Sequence, residues 1–143
     1  MRALVLLLAV AASGAPSLVA AAAGCDLAAP PAYVAQHGEA ARAAGAAVRM
    51  AGERGSRDTW IDGAACTRRW VPRVDRDRRA LTEIHWHYRR ELQALGAQLL
   101  FRDWRHTVAR LPLPGGTRWI QVYSPPGAID VTVIDVVASD HGR

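Results

Sequence analysis

The 143-residue chain contains no lysine, no asparagine and only two cysteines. Cys25 and Cys66 allow one intrachain bridge and exclude a Cys-x-x-Cys pair for zinc or redox chemistry. With lysine absent, the positive charge is all arginine: 18 residues against 13 acids, a formal +5. A chain so rich in Ala, Arg, Gly and Pro carries the bias of a GC-rich genome, so basicity alone names no partner. His-Glu-x-x-His is missing, and none of Ser56, Ser124 and Ser139 stands in a Gly-x-Ser-x-Gly elbow. Pro114-Gly115-Gly116 is too short for a phosphate loop, and no helix follows it. Glu83 and Glu91 read as ion-pairing surface residues beside Arg79, Arg89 and Arg90. The expectation is a protein without catalysis and without a cofactor.

A long membrane span is also missing. Residues 3–12 are apolar, but Ser13, Gly14 and Pro16 break the run. Arg2, that apolar core and the small residues 20–23 read instead as a secretory signal over residues 1–23. Removing it takes one arginine away, and 17 − 13 leaves +4 from Cys25 onward. Ala22-Ala23-Gly24-Cys25 resembles a lipoprotein box, although leucine is usual where Ala22 stands. Cys25 is therefore either lipidated, a membrane tether that leaves Cys66 unpaired, or bridged to Cys66 in an oxidising compartment. Such a bridge closes a loop of about 40 residues and adds roughly 3–4 kcal/mol in the chain-entropy model.

What remains is one domain's worth of chain. Residues 24–58 are Ala- and Gly-rich and read as a linker or a weak helix marked by Val34, Ala41, Ala44 and Val48. Gly38, Gly45 and Gly52 would each cost that helix about 1 kcal/mol. From residue 59 the chain turns strand-like, with Asp62-Gly63 a candidate turn before Trp70, Val71 and Pro72. Leu81, Ile84, Tyr88, Leu92 and Leu95 then recur at helical steps, with Asp75 or Asp77 as N-cap and Gly96 as C-terminal cap. Leu99 and Phe101, residues 108–111, residues 118–123 and residues 129–133 follow as strands between Pro/Gly turns. The predicted fold is α+β over residues 59–137: one main amphipathic helix packed on an antiparallel sheet of about three to five strands, two layers, with residues 138–143 as a tail.

Two groups of side chains invite chemistry. His85 and His87 are two apart, which on a helix turns them about 200° from each other, a poor chelate even with His106 nearby. They read as surface histidines on a helix flank. Arg68, Arg69, Arg73, Arg76, Arg78 and Arg79 fall within twelve residues with Trp70 among them, offset by Asp75 and Asp77. Arginine forks grip phosphate and carboxylate, so this run is the candidate anion-binding site, for lipid head groups or envelope polymers rather than nucleic acid.

Residues 79–137 resemble the domain that precedes the peptidoglycan-binding module in some OmpA-like envelope proteins. The likeness lies in Tyr88-x-x-x-Leu92-x-x-x-Gly96, Leu99-Leu100-Phe101 and Ala109-Arg110-Leu111-Pro112. It continues through Gly115-Gly116-Thr117-x-Trp119-Ile120-Gln121-Val122 to Val131-Thr132-Val133-Ile134. The module itself grips peptidoglycan through a motif containing asparagine, which this chain lacks, and only six residues follow Val137. The resemblance thus implies a stand-alone periplasmic or membrane-anchored envelope domain with a structural or binding role and no catalytic residues to carry over.

Overall fold

From residue 98 onward β-branched and aromatic side chains alternate with polar ones, and each alternation forms a strand that the next short turn reverses. The computed structural model describes residues 27, 29–36, 40–74 and 79–139. Along the chain these form β1 (Tyr33–Ala35), β2 (Ala41–Gly52), β3 (Gly55–Pro72), α1 (Leu81–Ala94), β4 (Gln98–Arg102), β5 (His106–Leu113), β6 (Gly116–Tyr123) and β7 (Ile129–Val137). All pairings are antiparallel, in one seven-stranded sheet of order β1-β3-β7-β6-β5-β4, with β2 pairing β3 as well.

This corrects the predicted fold. The molecule is mostly sheet, with one short helix among the described residues, rather than a main helix on three to five strands. The extra strands come from the stretch read as linker or weak helix. Residues 41–52 form β2, in register with β3 from Ala41↔Thr67 to Gly52↔Gly55. Alanine and glycine are poor strand formers, but strand preference yields to context, and here a long partner offers a full ladder. Asp62-Gly63 makes no turn either: β3 runs through it unbroken.

The helix also starts later than predicted. Its N-cap is Ala80, which makes no side-chain cap, while Asp75 and Asp77 lie outside the described residues. The C-terminus follows the sequence. Gly96 has φ +85°, its N–H donates to Gln93 O, and that of Ala97 donates to Leu92 O. This pair of bonds is the Schellman stop, which needs a left-handed residue. Leu95, expected on the apolar face, is the C-cap and is exposed.

Both faces of the sheet are covered, which replaces the expected two layers. On one face Ile84, Tyr88 and Leu92 of α1 meet Ala109, Ile120, Val122, Ile129, Val131 and Val133. On the other, β2 turns Val48 toward Ala65, Val108 and Ile134, with Ile61, Phe101 and Trp119 packed around them. Strand alternation assigns the sides: Ile120 and Val122 face the helix, and Trp119 faces β2.

Candidate functional site

The register brings three connections to one end of the sheet. His106 pairs Tyr123, Tyr123 pairs Asp130, and Ile129 pairs Trp70. The turn at 103–105, the loop at 124–128 and the segment after Pro72 therefore share that end with Tyr33 and the start of α1. Most of the predicted arginine run leads into it.

The structure divides that run. Arg68 and Trp70 oppose Val131 and Ile129 on the helix side, with the Arg68 guanidinium 5.8 Å from the Trp70 ring. Arg69 opposes Asp130 on the other side and grips it with both prongs, Nε–Oδ1 at 2.6 Å and Nη2–Oδ2 at 2.8 Å. That hydrogen bond, with the carboxylate charge, raises the Arg69 pKa. Its fork is already occupied. Arg73 is exposed, and its backbone N–H donates to Ala32 O. Arg76 and Arg78 lie outside the described residues. Arg79 is exposed, 3.8 Å from Glu83, with its backbone N–H on Tyr33 Oη.

The partner that Arg79 gains is one the sequence did not suggest. Arg105 reaches the same cavity, of about 290 Å³, lined by Tyr33, Arg79, Arg105, Ser124 and Pro125 among others. Its Nη1 donates to Ser124 O at 3.0 Å, and its guanidinium lies 4.1 Å from the exposed Trp104 ring. Asp103 holds this turn by accepting from the backbone N–H of Arg105 and His106 and from the His106 ring. Burial pushes the Asp103 carboxyl up, but those hydrogen bonds outweigh it and keep its pKa below the usual value.

His85 departs most from expectation: it is 2% exposed, not a surface residue. Its Nδ1 lies 2.8 Å from Thr107 Oγ1 and its Nε2 2.9 Å from Ser124 Oγ, both on fully buried residues. A neutral imidazole offers one donor and one acceptor, and a hydroxyl can meet either. Burial, then the nearby Arg89 and His106 charges, lower its pKa to about 4. The Ser124–His85 contact has the spacing of a nucleophile and its base. However, the serine is fully buried, and the second nitrogen faces a neutral hydroxyl rather than the carboxylate of a triad. The network ties the helix to β5 and the 124–128 loop. Its signal was in the sequence: position 85 is four residues after Leu81 and three before Tyr88, within the apolar stripe.

His87 turns elsewhere, edge-on to Tyr88, and His106 stacks on Tyr123. Among the described residues no group of three or more His, Cys, Asp or Glu is placed to hold a metal ion. Cys66 is buried and disulfide-bonded. The chain's other cysteine, Cys25, lies outside the described residues. No helix among the described residues is long and apolar enough to cross a membrane. No family model, curated protein or solved structure matches the chain.

Proposed function

We propose that this chain is an exported, non-catalytic domain of the bacterial envelope with a binding or structural role, facing the periplasm. The observation that carries the reading is the disulfide at Cys66, because such bridges persist in oxidising compartments. The signal-like residues 1–23 agree with it, and so does the resemblance of residues 79–137 to the domain preceding the peptidoglycan-binding module of OmpA-like proteins. The intact mass of the processed chain from soluble and membrane fractions, with and without reductant, tests it. The expected mass starts shortly before Cys25 and gains two hydrogens on reduction. A chain retaining residues 1–23 in the cytoplasm ends the reading. A mass starting at Cys25 with acyl chains would keep export but replace the bridge with a tether.

A second reading, an arginine site for anionic head groups or envelope polymers, is favoured by the cavity that Arg79 and Arg105 share. It moves the site off Arg69, whose charge Asp130 already takes. Binding to vesicles containing lipopolysaccharide should fall steeply with salt. Arg79→Gln with Arg105→Gln should remove it; affinity that survives both changes rules the site out.

A further inference from the structure

Before Ala64 the strand β3 pairs with β2 alone, and the two form a ribbon that folds over one face of the sheet. Ala46, Val48, Met50 and Ile61 turn inward to the core. On the outward face Trp60 stands opposite Ala47, Asp62 opposite Gly45 and Asp58 opposite Arg49. Trp60 is 61% exposed, to about the same degree as Trp86 and Trp104. It is nevertheless held in place. Its Nε1 donates to Asp62 Oδ1 at 2.8 Å. A Cβ on Gly45 would stand 2.7 and 2.8 Å from two of its ring atoms, so the indole rests on bare backbone. The indole thus lies against the glycine backbone while most of the residue stays open to solvent.

We propose that Trp60 is the stacking platform of a glycan-binding site that takes a pyranose ring of an uncharged envelope polysaccharide. A pyranose presents a flat face of C–H groups that matches the π face of an indole, with hydroxyls around its rim. Beside Trp60 the rim meets acceptors: the second oxygen of Asp62, and Asp58, whose Oδ1 takes Arg49 at 3.0 Å. Two other ligand classes fit worse. The carboxylates repel anionic lipid head groups. A peptide anchor is held in a desolvated pocket, whereas Trp60 stands opposite Ala47 and against Gly45 and is 61% exposed. Because the ring is already fixed, stacking costs little side-chain entropy. The sugar chemistry follows from the ribbon; only the envelope as its source rests on the function proposed above.

The test titrates the processed, oxidised chain with the N-acetylglucosamine tetramer and with cellotetraose, followed by calorimetry and by NMR of the indole N–H signals. Saturable binding of at least one oligomer is expected. Trp60→Ala should weaken it about tenfold or more, equivalent to about 1.4 kcal/mol. Trp60→Tyr should keep it within a few-fold, and Trp104→Ala, at an equally exposed tryptophan, should leave it unchanged. Circular dichroism of each variant confirms folding. The proposal is overturned if neither oligomer binds, or if Trp60→Ala binds as well as the parent. Trp60-dependent binding to anionic vesicles without sugar binding also overturns it. Sugar binding by a chain that fractionation finds outside the envelope would uphold the site and refute only the compartment.

Discussion

Against one face of the sheet, Ile84, Tyr88 and Leu92 of α1 press on Ile120, Val122, Val131 and Val133, none more than 2% exposed. Against the other, β2 brings Val48 among alanine and glycine. Large side chains hold a helix off a sheet and bury apolar area in bulk. Small ones let a second backbone come close, and its polar groups then need partners. Gln121 supplies them: its Oε1 accepts from Arg49 N–H at 2.7 Å, and its Nε2 donates to Ala47 O at 3.4 Å. One face is therefore held by hydrophobic area and the other by backbone pairing with a smaller apolar patch.

The sharpest way to test this contrast is to empty the helix side. Leu92→Ala should cost roughly 2–5 kcal/mol in urea unfolding, through lost burial and the cavity left behind. A loss below about 1 kcal/mol would mean that α1 is not part of the core.

Acid should loosen the same face. The folded pKa of His85 is about 4, below the ordinary 6.5, so the unfolded chain takes up a proton first. Stability that is complete above pH 6.5 should fall as pH drops toward 4, by up to about 3 kcal/mol. In His85→Gln that slope should flatten; an unchanged slope would move its cause to the carboxylates.

The β2 side should respond more locally. Gln121→Ala should cost about 1–2 kcal/mol by leaving the Arg49 N–H unpaired. Hydrogen exchange at that amide should quicken while amides of α1 keep their protection. Equal acceleration in both regions would show that the two faces open as one unit.

The smallest effect belongs to the outer surface. Arg69→Gln removes an exposed pair with Asp130 and should cost less than about 1 kcal/mol. It should also leave anion binding untouched, which a site built on the whole arginine run would not allow.

The helix side was legible because it is built from consecutive segments. Ile84, Tyr88 and Leu92 repeat at helical steps, Ile129, Val131 and Val133 alternate, and Gly96 stops the helix where only glycine is at ease. The β2 side was not legible. Residues 41–52 hold one β-branched side chain, Val48, and no aromatic, and their ladder depends on β3. The arginine run misled for a related reason: neighbours in a strand point to opposite faces, so Arg68 and Arg69 part, while Arg105, far along the chain, arrives beside Arg79. Trp60 read as a strand residue ahead of a turn; nothing local says that Gly45 lies beneath its ring.

By itself the sequence determined the short-range matters: the apolar stripe of α1, the glycine stop and the last four strands. These depend on periodicity and on backbone preferences within a few residues. Only the tertiary structure decided that an Ala/Gly stretch becomes a strand, that His85 is buried between Thr107 and Ser124, and which arginines line a common cavity. Each of those depends on a partner dozens of residues away, where close packing and hydrogen-bond satisfaction outweigh local propensity.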